Sequence, residues 1–354
     1  MSISFDHSTL PQRIIFRSGA AVESTVSASS GLGAERILLI ADPFAEELAR
    51  ALTEQLPVVA RIDEVPQHVP VSNALAAVDL VRSERIDAVI SVGGGSATGL
   101  AKIVARDTGV PIVAVPTTFA GSEATNVWGL TDAGRKITGV DDAVLPRVVV
   151  YDAQLMATMP AALAMSSALN AVAHAIDGFW APRADPINRA LGTEGLRALF
   201  PGIRELHDDP ESLGAREKTL YGAYLAAVAF ASAGSGLHHK ICHALGGTFN
   251  LPHAETHSVV IGYVAAFNAP YAPDAAQRAV DALGGQGTIG NSLERLRHQI
   301  GAPRSLADLG LRQSDIVEAA SIILPTVPTS NPRPTSLADL QELLEAAWSG
   351  ASID

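Results

Sequence analysis

Residues 87–105 read DAVISVGGGSATGLAKIVA. Asp87–Val92 is apolar almost throughout, as a strand covered on both faces must be, and Ser96–Arg106 has the period of a helix. Between them lies Gly93-Gly94-Gly95-Ser96. Backbone without side chains can approach a pyrophosphate at Gly94, Gly95 and Ser96, and the first N–H groups of the helix favour an anion. An ordinary tight turn would use the same glycines, and the G-x-G-x-x-G fingerprint occurs nowhere in the chain.

Reading outward, Arg13–Phe16, Ile37–Ala41, Val58–Val65 and Pro111–Pro116 suit strands. Phe44–Gln55 and Asn73–Arg82 suit helices. Such alternation predicts βαβ units, hence a parallel sheet flanked by helices. Asp42 follows a strand, where a carboxylate can bind both hydroxyls of an adenosine ribose and repel a 2′-phosphate; capping the helix from Phe44 is the equal alternative. Thr117-Thr118 ends another strand and can hydrogen-bond a nicotinamide or ribose, or simply terminate the strand. Thr125–Val140 reads as a β-hairpin turning at Asp132–Gly134. Lys136 on its return strand is a cofactor candidate or a plain surface lysine.

Beyond Val148–Asp152 the pattern is helical, over Pro160–Trp180, Ile187–Phe200, Ser212–Ala233, Leu237–Leu245, His253–Phe267, Pro273–Leu283, Ser292–Ile300, Asp315–Leu324 and Ser336–Trp348. A boundary near Tyr151–Met159 gives an α/β nucleotide-binding domain over 1–155 and an all-α substrate domain over 156–354. Leu237–His257, LHHKICHALGGTFNLPHAETH, holds five of the ten histidines. His239 and His243 stand four apart on one helical face, and Asn170 and His174 repeat that spacing upstream. Gly246-Gly247 is expected to end the first histidine helix, and Pro252-His253 to open the next. The pattern predicts a shared polar site from His174, His239, His243 and His253. His7, His68, His207 and His298 read as ordinary surface or satisfied core residues.

Two domains suit 354 residues, and 47% apolar with 18% charged residues suits a globular enzyme. A net charge of −12 argues against nucleic acid and requires local cations for an anionic substrate. Cys242 is the only cysteine, so no intrachain disulfide forms and a reducing cytoplasm is expected. It reads as small buried filler or as a thiol activated by Lys240 and His243. No signal-peptide layout and no run long enough to span a bilayer is apparent.

Taken together, GGGS, PTTFAGSE at Pro116–Glu123, LPRVVVYD at Leu145–Asp152, HHKICHALGG with PHAETH, and the late NPRPT resemble the iron-containing alcohol dehydrogenases, relatives of the dehydroquinate synthases. The resemblance spans nearly the whole chain. It implies an NAD(P)-binding amino-terminal domain, a helical carboxyl-terminal domain, a nicotinamide in the cleft between them, and a homodimer. One aspartate and three histidines bind the metal in that family, at positions matching Asn170, His174, His239 and His253. Asn170 replaces the aspartate, and Gly99 stands where the family usually has aspartate. Both departures resemble the maleylacetate reductases, which reduce maleylacetate to 3-oxoadipate with NADH or NADPH. This implies NADH as cofactor, NADPH as a possible substitute, a dicarboxylate substrate and, since a neutral amide is a poor ligand, no metal. His243 is then the general acid and enolate stabiliser, with His253 second. His174, His239 and Asn170 orient the substrate, and His238 and Lys240 contact its carboxylates.

Overall fold

The structure is a computed structural model describing residues 4–66, 69–132 and 135–353; of Asp132, Arg135 and Lys136 the backbone alone is described. His68 and the hairpin tip at Ala133 and Gly134 lie outside the described residues. The chain divides into two compact units, one of Thr9–Pro160 and one of Met1–Ser8 with Ala161–Asp354.

In the first unit the elements run β1 (Arg13–Phe16), α1 (Ala21–Gly31), β2 (Ile37–Ala41), α2 (Glu46–Gln55), β3 (Val58–Ile62), α3 (Val71–Ser83), β4 (Ala88–Gly93), α4 (Gly95–Thr108), β5 (Ile112–Pro116), β6 (Val127–Asp132), β7 (Arg135–Val140) and β8 (Val148–Tyr151). Six strands form one parallel sheet in the order β1-β8-β5-β4-β2-β3. Alternation along each strand serves two cores. Leu38, Ile40, Val89 and Ala114 pack with α3 and α4 on one face. Ile37, Leu39, Ile90, Val92, Val113 and Val115 pack with α1 and α2 on the other. After β2 the chain runs outward to β3, then crosses back to β4 on the far side. The carboxyl ends of β2 and β4 therefore flank the point where strand order reverses, which is where open α/β sheets bind ligands. The hairpin β6–β7 is antiparallel, with Val127 opposite Val140.

The second unit is helical: α5 (Ala161–Gly178), α6 (Pro186–Asp208), α7 (Leu213–Ala233), α8 (Leu237–Phe249), α9 (His253–Asn268), α10 (Pro273–Ala282), α11 (Ile289–Gln299), α12 (Ile316–Ile323) and α13 (Leu337–Ser349). Leu237, Ile241 and Leu245 of α8 and Val260 and Val264 of α9 share a core with α12 and α13. No single helix among the described residues is long and apolar enough to cross a membrane.

Three boundaries differ from expectation. Helix α8 passes through Gly246-Gly247 and ends at Asn250, which takes the left-handed conformation (φ 54°). Asparagine tolerates that region better than most other side chains, and the buried face of α8 holds the two glycines in the helix. Helix α6 runs past Phe200 and Pro201 to Asp208 because Leu199, Ile203 and Leu206 keep burying the same stripe. Strand β3 stops at Ile62, short of Val65.

The start of α6 is well defined. Asp185 Oδ1 accepts from the backbone N–H of Ile187 (2.7 Å) and Asn188 (2.9 Å), while Asn188 Oδ1 accepts from Asp185 N–H. Asp185 Oδ2 lies 2.7 Å from His7 Nδ1, fastening the amino-terminal segment. Replacing Asp185 with alanine should cost about 1 kcal/mol, read as a fall in Tm of about 2–4 °C by calorimetry.

Candidate active site

The nucleotide half lies at the carboxyl edge of β2, β4 and β5. Asp42 precedes a single 3-10 turn but makes no side-chain cap bond there. Its Oδ2 instead accepts the backbone N–H of Gly94 at 2.8 Å. Burial raises the Asp42 pKa, and the Gly94 N–H partly offsets this. Gly93 has φ 150°, and a Cβ on it would overlap the Asp42 carboxylate, so glycine is required twice over. Thr118 stands beside Gly94, and Thr117 N–H donates to Gly93 O at 3.1 Å. Gly95 is exposed and opens α4 with no side-chain cap, leaving its first N–H groups available. Asp42, Gly94, Gly95, Ser96, Thr117 and Thr118 are thus gathered on adjacent strand ends. Lys136 pairs with Thr131 through the backbone of β7, and its side chain lies outside the description.

The histidine half is built by α5, α7, α8 and α9. The His174 and His239 rings stack at 5.0 Å between centroids, and Phe230 of α7 lies 4.9 Å from the first and 4.2 Å from the second. His243 follows at 6.1 Å from His239, and His253 at 6.4 Å from His243. The four histidines expected to share a site do lie together. Asn170 and His174 are buried one turn apart on α5, while His243, His253 and Lys240 are partly exposed.

Asp177 organises this half. Its carboxylate accepts the backbone N–H of Gly236 (2.9 Å) and His238 (3.4 Å), and His239 Nδ1 lies 2.7 Å from Oδ2. A Cβ on Gly236 would overlap the carboxylate, so only glycine lets the helix start come this close. Burial pushes Asp177 up to about 7, while the Gly236 and His238 N–H groups pull it back. Burial, reinforced by neighbouring imidazoles, pushes His239 well down, so the ring stays neutral. A neutral ring facing a carboxylate carries its proton on Nδ1, which leaves the Nε2 lone pair for a ligand. Sequence reading missed Asp177, although it is the only acid in the apolar helix α5 and lies three residues beyond His174.

His238 turns away from this group. It is fully buried, and its Nε2 lies 2.8 Å from His257 Nδ1 and 3.7 Å from Cys242 Sγ. Direct contact with a substrate carboxylate does not fit that placement. Burial, with Asp177 nearby, raises the Cys242 pKa well above normal, which argues against the activated thiol.

The expectation of no metal is overturned by two findings. Residues 11–153 match the iron-containing alcohol dehydrogenase family, and residues 164–348 match the C-terminal part of the Fe-containing alcohol dehydrogenase family. His238, Cys242 and His257 also place one ligand-type atom each within 4.8 Å of one another. The main cluster fits a cation as well: Asn170 Oδ1, His174 Nδ1 and His239 Nε2 are buried with no hydrogen-bond partner among the described residues. An amide oxygen can ligate, and Asp177 behind His239 orients that ring for a ligand.

Three full-length likenesses accompany the family match. An iron-containing alcohol dehydrogenase from Corynebacterium glutamicum is 48% identical with a TM-score of 0.96, over 99% of this chain and 98% of its own. Maleylacetate reductase 1 of Cupriavidus pinatubonensis is 39% identical over 98% of this chain and 97% of its own length. The maleylacetate reductase of Agrobacterium tumefaciens is 36% identical with a TM-score of 0.93, over 99% of this chain and all of that one. Asp177→Asn should lower kcat/KM, or the iron bound per chain, roughly 10- to 100-fold by loosening the His239 ring; enzyme assays paired with metal analysis check this, and unchanged values in both would contradict the role given to Asp177. Matched along both halves, the chain belongs to the iron-containing alcohol dehydrogenase family.

Proposed function

We propose that the protein reduces the C=C bond of maleylacetate with NADH, giving 3-oxoadipate. The observation that carries this reading is similarity along almost the entire chain to maleylacetate reductases, at 37–41% identity across several curated relatives. The geometry of both halves suits the chemistry.

In the substrate a C=C bond is conjugated with a ketone. Hydride from the nicotinamide adds to the olefinic carbon distal to the ketone, and the resulting enolate is protonated at the carbon next to it. Three things are needed: a site for developing negative charge, a proton donor, and contacts for two carboxylates. His243 is the proton donor and enolate contact, since it is partly exposed beside His239 and His253. His253 is the second candidate. Lys240, also partly exposed, meets a substrate carboxylate. Asn170, His174 and His239 are the side chains that would hold a divalent iron, joined by His253 when His243 is the proton donor; as a Lewis acid the iron would stabilise charge on the substrate oxygen. Asp177 fixes His239 in either task, and the His238–His257 pair packs behind it.

On the nucleotide side, Gly94, Gly95 and Ser96 receive the pyrophosphate, and Thr117, Thr118 and Lys136 serve the nicotinamide half. Asp42 takes the adenosine ribose, favouring NADH over NADPH because its charge would repel a 2′-phosphate. The active species is a cytoplasmic homodimer.

Maleylacetate should drive loss of NADH absorbance in the iron-loaded protein; oxidation of short alcohols by NAD⁺, with no NADH consumed on adding maleylacetate, would overturn the assignment. His243→Ala should lower kcat roughly 10²- to 10⁴-fold with little change in the KM for NADH. Asp42→Ser should raise kcat/KM for NADPH relative to NADH about tenfold or more, and an unchanged ratio would remove Asp42 from the ribose site.

A further inference from the structure

Lys102 is fully buried in the middle of α4 and has no part in the chemistry above. It stands two turns beyond Gly95. Its Nζ donates to Ser122 O (2.6 Å), Val127 O (2.7 Å), Thr125 O (2.9 Å) and Thr125 Oγ1 (3.0 Å). An ammonium has three N–H groups, so four oxygens crowd around three donors, and none belongs to a carboxylate. Glu123 acts on it as an opposite charge, and is itself buried, with its Oε1 accepting from Tyr151 OH at 2.8 Å.

All the acceptors lie within residues 122–127, on the irregular segment before β6 and the first residue of that strand. The segment leaves β5 through Thr117-Thr118, turns at Gly121 (φ 73°), makes a 3-10 turn at Ser122–Ala124 and enters β6 at Val127. Buried carbonyls outside regular structure require donors, and here a side chain from the neighbouring helix supplies them. A buried ammonium is costly to desolvate, and an apolar side chain would fill the same volume without that cost. What the ammonium adds is a fixed path for residues 122–127. One turn further along α4, Arg106 lies over the Trp128 ring at 4.4 Å, a second grip on the same segment.

We infer that Lys102 is a positioning residue for the dinucleotide, locking the segment after Thr117-Thr118 to the helix that begins at the phosphate turn. This rests on the cofactor reading above. Helix α4 then presents the two halves of the cofactor site as one body: the glycine turn at its start, and through Lys102 the threonine segment beside it. Losing the ammonium frees the threonine segment while leaving Asp42 and the glycine turn in place.

Two ligands separate the halves. ADP needs only the ribose and phosphate contacts, whereas NADH also needs the threonines. In Lys102→Met the Kd for NADH, measured by calorimetry, should rise about tenfold, the equivalent of one or two hydrogen bonds, with ADP affinity within about twofold of the parent. Equal weakening of both ligands, or of neither, would overturn the inference. Thr125→Val removes one acceptor at nearly constant volume and should give a smaller shift confined to NADH; where Lys102→Met does not fold, this variant decides, and an unchanged NADH Kd in it overturns the inference. If the parent protein bound neither ADP nor NADH, the cofactor reading itself would fall, an outcome distinct from the other two.

Discussion

The catalytic half of the molecule depends on one buried carboxylate. Asp177 receives two N–H groups from the first turn of α8 and faces a ring nitrogen of His239, so one side chain docks a helix end on α5 and selects a tautomer. A helix start bears partial positive charge, which is why an acid can be buried there without a full cationic partner. The rest follows from that docking. With α8 seated, His239 stacks on His174, His243 stands one turn on, and α9 closes the group with His253 and His257.

The nucleotide half uses the same device in reverse. There the acid, Asp42, comes from a strand end and reaches the N–H of Gly94 at the start of α4. Gly93 and Gly236 play matching parts, since a side chain on either would displace the carboxylate that the neighbouring backbone binds. In both places a carboxylate and a helix amino end define a polar patch within apolar surroundings. Asp42 remains partly exposed whereas Asp177 is fully buried. That difference suits one carboxylate to meet a ligand and the other to hold a protein side chain.

Much of this was legible in the sequence because it rests on short-range pattern. The unbroken apolar runs Ile37–Ala41 and Val113–Val115, set between helical patterns, read as strands buried on both faces, and the spacing within Leu237–His257 favours imidazoles brought together. Other features depended on contacts that pattern does not encode. Gly246-Gly247 looks like a helix end until its buried face is known, and Pro201 looks like a stop until the stripe beyond it is seen packing. The partner of Asp42 lies 52 residues away, and that of Asp177 62 residues away. The expectation of no metal fails for the same reason. Asn170 taken alone is a lost charge, and although Asp177 stands seven residues along the same helix, its contact with His239 becomes visible only when α5 and α8 are placed together.

The proposed reaction delivers hydride to an olefinic carbon and not to a carbonyl. That choice can be read directly by running the iron-loaded protein with maleylacetate and NADH deuterated on the transferred face, then locating the label by NMR. Deuterium is predicted on C5 of 3-oxoadipate, the methylene beside the carboxylate remote from the ketone, a position that does not exchange with water. Deuterium on a carbinol carbon, with the double bond intact, would contradict it and return the protein to ordinary alcohol dehydrogenase chemistry.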